Sequence, residues 1–271
     1  MAGARLHARE GATALGYIPG TNWTKTLCEG VSRLAAEAGV VLRTDASVAN
    51  VVTSGDRVVK VELDTGETVD GDVFVSAMPT DTLARLLAVD PEVERIRYTA
   101  LLSLICGTRQ DLPDHFYWLS LLSPKLTNSG IFMLTALNPT IGRAGEHCVN
   151  FVTHLHSRAR DPFAYSDEEY LARSLDDYRA VFGIDLEPAW WHLTRVPAYS
   201  PVFDPGYRNP DVRSRVWSNL YFAGNYRTYP SLVSTGTALG SGVECGKAAL
   251  QTARTRSRTR QVPRRATVGG R

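Results

Sequence analysis

The chain has 271 residues, with 30 basic and 28 acidic side chains, a net charge of +2 and 44% hydrophobic residues. That length allows one large domain or two small ones with a sizeable core, and the composition is that of an ordinary globular protein. No run of about eighteen apolar residues exists, which excludes a helical membrane span, and Met1 to Glu10 lacks the apolar stretch of a signal peptide.

Tyr17-Ile18-Pro19-Gly20-Thr21-Asn22 reads as a turn and an N-cap. Leu27, Val31, Leu34, Ala35 and Ala38 then recur at helical spacing, and Gly39 marks the stop. Three strand-like runs follow: Val40 to Val52, Val58 to Leu63 and Asp72 to Ala77. Ser54-Gly55-Asp56 and Asp64-Thr65-Gly66-Glu67 separate them as turns. Val73-Phe74-Val75 is continuous and apolar, which predicts a buried strand.

Between Thr80 and Ser214 aromatics become frequent, among them Phe116, Tyr117, Trp118, Trp190 and Trp191. Ala100 to Cys106, Gly130 to Thr135 and Cys148 to Thr153 fit a mostly antiparallel sheet. Ser166-Asp167-Glu168-Glu169 opens a helix with Tyr170, Leu171, Leu175, Tyr178 and Val181 on one face. Its acids sit where they suit the helix dipole.

Leu220-Tyr221-Phe222-Ala223 is long enough for one buried strand and stops at Gly224-Asn225. Ten residues past Gly224, Ser234-Thr235-Gly236-Thr237 opens an Ala/Gly-rich helix expected to run to about Ala253. A strand ending in glycine and a helix start without bulk let backbone touch a ligand. Free N–H groups and the dipole there favour a phosphate or an electron-rich ring edge. Val73–Val75 and Leu220–Phe222 both suit a sheet covered on two faces, so Val40–Ala77 and Leu220–Ala253 are expected to pack together. Residues 251–271 carry seven arginines and no acid, which leaves the first 250 residues at −5 against the total of +2. The tail from Arg254 cannot bury a core and is expected to be disordered. It lacks the interleaved aromatics of a nucleic-acid surface.

Gly39-Val40-Val41-Leu42, Val48-Ala49-Asn50-Val51, the run from Thr65 to Pro79, Leu220 to Asn225 and Ser234 to Gly242 share one resemblance. They resemble elements of FAD-dependent oxidoreductases of the amine oxidase, protoporphyrinogen oxidase and phytoene desaturase group, over about residues 15–253. The resemblance implies an α/β (α+β) fold, a partial FAD-binding Rossmann-type domain with an inserted, mostly antiparallel-sheet substrate domain. The expected segments are 1–79 and 216–253 for the FAD-binding domain, 80–215 for the substrate domain and 254–271 for the basic tail. By the same resemblance, the Val48 backbone reaches the adenine and Gly224 allows close approach of the ribityl-phosphate. Asn225 stands where relatives carry Asp or Glu for the hydroxyls of that chain. Backbone N–H groups of Thr235, Gly236, Thr237 and Ala238 face the flavin's pyrimidine end.

The usual strand, G-x-G-x-x-G, helix unit is absent from residues 1–60; Gly16-Tyr17-Ile18-Pro19-Gly20 has two glycines and a proline where the tight turn should be. The chain reads as the C-terminal part of such a flavoprotein, whether a truncated frame, one chain of a split enzyme or a remnant. The implied function is an FAD-dependent oxidoreductase whose flavin accepts hydride from a small organic substrate. The alternatives are a non-catalytic remnant or partner subunit of a split flavoprotein, and a flavin-dependent mutase of the UDP-galactopyranose mutase type. FAD is expected to bind weakly or not at all to the isolated chain. A Rossmann-containing partner chain or self-association is expected to cover the open surface, and no nucleic acid is expected.

A flavin brings its own redox chemistry, and no residue stands out as catalytic. Cys28, Cys106, Cys148 and Cys245 are scattered without a C-x-x-C pair and read as reduced thiols of a cytoplasmic protein. His115, His147 and His192 show no ligand spacing, and the imidazoles of His154-Leu155-His156 are expected on opposite sides of a strand. No metal site is expected.

Overall fold

A computed structural model describes residues 17–113, 116–156 and 161–261. Met1 to Gly16, His115 and residues 262–271, on which several expectations rest, lie outside them. The chain divides into two units. One holds the described residues up to Leu42 with Tyr98–Tyr199, and the other holds Arg43–Arg97 with the residues from Ser200 onward.

The first unit opens with α1 (Trp23–Glu37), where Asn22 caps the helix by accepting from the Lys25 N–H at 2.7 Å. Its apolar side is not covered: no residue of α1 is buried, and Leu34 is 60% exposed. The turn before it is held by the Gly20 N–H donating to Thr140 Oγ1 at 2.8 Å.

A five-stranded sheet forms the core of this unit, in the order β6 (Trp118–Ser120), β7 (Gly130–Met133), β8 (His147–Leu155), β5 (Tyr98–Thr108), β9 (Trp190–Pro201). β5 pairs antiparallel with β8 from Ala100↔Leu155 to Thr108↔His147, as expected for this region. The inward residues Leu102, Leu104, Ile131, Met133, Val149 and Phe151 are fully buried, each worth about 1.5–3 kcal/mol. The strand expected to Thr135 ends at Met133, because Leu134–Leu137 turn into one helical turn, α4. Helix α5 (Asp167–Phe182) starts at Ser166, which accepts from the Glu169 N–H, and ends at left-handed Gly183. Tyr170 and Tyr178 of α5 insert into the sheet's core.

In the second unit β1 (Val48–Ser54), β2 (Arg57–Leu63) and β3 (Thr68–Asp70) form an antiparallel sheet in that order. Residues 40–47 are not strand, contrary to the run expected from Val40. Asp45 sits at a φ of 54°, a left-handed turn no strand tolerates. β4 (Phe74–Ser76) pairs in parallel with β10 (Leu220–Phe222), Phe74 against Leu220, although some 145 residues separate them. The segments expected to pack together do so here. Asn219, fully buried, ties them further. Its Oδ1 accepts from the Val58 N–H at 3.0 Å, and its Nδ2 donates to the carbonyls of Val58 at 2.8 Å and Asp72 at 3.1 Å.

Short helices α2 (Thr80–Leu86) and α3 (Pro91–Glu94) follow β4. Asp90, just before α3, accepts from Ser214 Oγ at 2.6 Å and the Arg215 N–H at 2.7 Å. Helix α6 (Thr235–Gln261) packs through Cys245 and Ala249 on Tyr221 and Ala223. It continues past Ala253 into the arginines expected to be disordered, since no glycine or proline interrupts it between Gly246 and Pro263.

Candidate functional site

The carboxyl end of a parallel strand is where open α/β sheets hold ligands. Here β10 ends at Gly224, whose φ of 144° and ψ of 177° lie in a region essentially reserved for glycine. A Cβ on Gly224 would stand 2.8 Å from the Tyr226 ring. The residue is therefore fixed as glycine by backbone and by space. Its N–H donates to Ser241 Oγ at 2.9 Å, and that hydroxyl in turn reaches the carbonyls of Gly224 at 3.1 Å and Ala238 at 2.8 Å. Ser241, two turns into α6 and buried, pins the end of β10 to the helix.

Below this turn lies Arg227, whose side chain is 5% exposed. It donates Nε to the Pro210 carbonyl at 3.0 Å and Nη1 to Glu244 Oε2 at 3.3 Å. A buried guanidinium without such partners would cost several kcal/mol. The turn between β10 and α6 is further held by Asn209, which accepts from the Tyr229 N–H at 3.1 Å and donates to the Tyr229 carbonyl at 2.7 Å. The Tyr229 ring packs on Phe203 and Tyr207, with centroids 5.4 and 5.7 Å away.

The start of α6 is capped by its own sequence. The Thr237 N–H donates to Ser234 Oγ at 3.2 Å, and the Ser234 N–H to Thr237 Oγ1 at 3.0 Å. The Ala238 N–H donates to the Ser234 carbonyl at 3.0 Å. Of the four amides read from the sequence, those of Thr237 and Ala238 are thus already used. Those of Thr235 and Gly236 meet no acceptor among the described residues, and both residues are exposed. Asn225 opens a single 3-10 turn to Arg227, and its carbonyl accepts from Thr228 Oγ1 at 2.8 Å. Gly224, Asn225 and Thr235 to Ala238 belong to this one turn and helix start, whereas Val48 opens β1 in the other sheet of the unit.

The four cysteines are free thiols. Cys245 lies beneath the site, and burial raises its pKa, with the Arg227 charge opposing. This thiol is not poised as a nucleophile. The expectation of opposite sides fails on strand geometry, since positions two apart share a face; His154 and His156 are both exposed with Leu155 buried between them, and His156 lies just past the end of β8. Among the described residues no group of three His, Cys, Asp or Glu side chains is placed to hold a metal ion, and no helix is long and apolar enough to cross a membrane.

The mixed α/β fold with antiparallel sheets is similar to that of FAD-dependent oxidoreductases. A protein from Exiguobacterium sp. 255-15 described as a protoporphyrinogen oxidase superimposes with a TM-score of 0.66 at 13% identity, over 84% of this chain and 51% of its own. An oxidoreductase from Methanosarcina mazei gives 0.61 at 15% identity, over 83% and 54%. Reduced UDP-galactopyranose mutase gives 0.55 at 12%, over 68% and 41%. The chain thus spans about half the length of these structures. No curated protein matches it significantly. The family of flavin containing amine oxidoreductases matches residues 25–249, and the chain belongs to that family.

Proposed function

We propose that this chain forms the flavin-facing part of an FAD-dependent oxidoreductase that dehydrogenates a small amine, alcohol or C–C bond. The observation that carries the reading is Gly224, held in a glycine-only conformation by Ser241 beside the open amides of Thr235 and Gly236. When bound, the flavin supplies the redox chemistry as hydride acceptor. The residues present fit such a group in part. Gly224 leaves no side chain in the way of a phosphate or sugar, and the amides at the positive end of α6 suit a ring edge that gains negative charge. Asn225 can donate and accept hydrogen bonds to hydroxyls, in the role read for it.

On this reading the unit of Arg43–Arg97 and the residues from Ser200 carries the cofactor, and Tyr98–Tyr199 carries the substrate side. Residues 1–60 hold no glycine-rich loop of the kind that cradles a pyrophosphate. Residues 1–271 on their own, without such contacts, are expected to forgo about 4 kcal/mol, roughly a thousandfold in affinity. Purified residues 1–271 are expected to be colourless or faintly yellow. Absorbance in the flavin band, recorded before and after adding FAD, should show weak binding that strengthens when a Rossmann half is supplied. Tightly held, stoichiometric flavin in the isolated chain would contradict the partial site.

A further inference from the structure

Thr135 of α4 and the loop from Pro139 to His147 line a cavity of about 370 Å³, within the unit that holds Tyr98–Tyr199. Small-molecule sites run from about 300 to 1,000 Å³. This one has the space of roughly a dozen waters at about 30 Å³ each, more than a bare ion fills. The loop is held from outside. Asn138, 7% exposed, accepts at Oδ1 from the Thr140 N–H at 3.1 Å and the Thr140 hydroxyl at 2.6 Å. Its Nδ2 donates to the carbonyls of Ile18 at 3.4 Å and Thr21 at 3.3 Å. Gly142 and Gly145 sit at φ of 87° and 73°, left-handed turns that favour glycine, and the Glu146 N–H donates to the Arg143 carbonyl at 3.0 Å.

The lining is rich in unused donors. Among the described residues the N–H groups of Gly142, Arg143, Ala144 and Gly145, four in succession, meet no acceptor. Thr135 is only 9% exposed, and its Oγ1 accepts from the Cys148 N–H at 3.2 Å. The Thr135 O–H itself meets no acceptor among the described residues. Arg143 is exposed and has no acidic partner among them, and the half-buried His147 imidazole makes no hydrogen bond to them. The one acid of the lining, Glu146, is engaged by Trp190, whose Nε1 donates to Oε2 at 3.4 Å.

Successive backbone N–H groups in a turn form a concavity that binds anions, and a guanidinium adds a fork that matches phosphate oxygens. Donors in this number outrun the two oxygens of a carboxylate and suit the three of a phosphate group. We propose that this cavity binds a small molecule carrying a phosphate group. The phosphate sits on Arg143 and the amides of Gly142 to Gly145, and the organic part lies toward Thr135 and His147. The inference uses no residue of the turn from β10 to α6 and does not depend on the flavin reading.

The test is a titration of the isotopically labelled full chain, without flavin, followed through its backbone amide NMR signals. Ionic strength is held constant so that screening is equal for every probe. The probes are ribose 5-phosphate, inorganic phosphate and acetate. Ribose 5-phosphate is expected to shift the four amides saturably at millimolar concentration or below, and acetate to leave them unmoved. Arg143→Gln, at an exposed side chain, is expected to weaken ribose 5-phosphate binding at least tenfold. Arg143→Lys keeps the charge without the fork and is expected to recover part of that loss. Four unmoved amides at millimolar ribose 5-phosphate would overturn the proposal, as would an Arg143→Gln chain that binds it unchanged. Acetate acting as strongly would make the loop an unselective anion trap. Inorganic phosphate binding as tightly as ribose 5-phosphate would mean an adventitious ion only. Either of those results contradicts the assignment.

Discussion

Gly224 and Ser241 act as a pair. Gly224→Ala meets a glycine-only φ and a contact with Tyr226 at once. It is expected to lower stability by about 2 kcal/mol or more, read by urea unfolding. Ser241→Ala leaves the Gly224 N–H without its acceptor and is expected to cost about 1–3 kcal/mol. An alanine at 241 that left stability unchanged would show that the clamp is not a real constraint. Gly224 and the small first turn of α6 were legible in the sequence because glycine and serine report local backbone geometry. Ser241 and Arg227 were not, because their partners Gly224 and Glu244 each lie 17 residues away. The use of the Thr237 and Ala238 amides could have been read from Ser234 and Thr237, which stand three apart as a capping pair.

At the scale of elements, α5 is tied to the sheet by a buried polar cluster that no sequence pattern announced. Asp177 accepts from the Asn128 N–H at 2.7 Å and from Asn128 Nδ2 at 2.8 Å, and Asn128 Oδ1 accepts from the Tyr170 hydroxyl at 2.9 Å. Burial raises the Asp177 carboxyl above its ordinary range, with the Asn128 bonds opposing, and burial pushes the Tyr170 hydroxyl up to about 12. The folded state therefore holds the Asp177 proton more tightly than the unfolded one. Its contribution to stability is fully present below the ordinary carboxyl pKa and is lost as pH rises through the raised value. Asp177→Asn keeps the shape without the charge. It is expected to flatten the dependence of stability on pH above the ordinary carboxyl pKa of about 4, measured by urea unfolding at each pH. An unchanged slope would assign the pH dependence to other groups. The other elements followed their signals unevenly. The helix at Asp167 and strands β5 and β8 stood where capping residues and apolar runs placed them, since their apolar faces meet a core. Val40–Leu42 is as apolar as any strand, yet it lies outside β1 and exposed, because no neighbouring strand takes it up.

For the molecule as a whole, membership of the flavin containing amine oxidoreductase family and a span of about half the length of similar structures frame the same question. The sheet order was legible in the one place where two continuous apolar runs, Val73–Val75 and Leu220–Phe222, had to find a common sheet. The exposure of Val75 was not, because a continuous apolar run does not state which strand of a sheet is its edge. The flavin reading makes the turn from β10 to α6 the point of contact, even where overall affinity is low. Weak binding of that kind is best followed residue by residue. The most direct measurement is a titration of the isotopically labelled chain with FAD, followed through its backbone amide NMR signals. The amides of Gly224, Thr235 and Gly236 are expected to shift first and furthest. Shifts confined to the β5–β9 sheet with those three unmoved, or no shift anywhere at millimolar FAD, would contradict it.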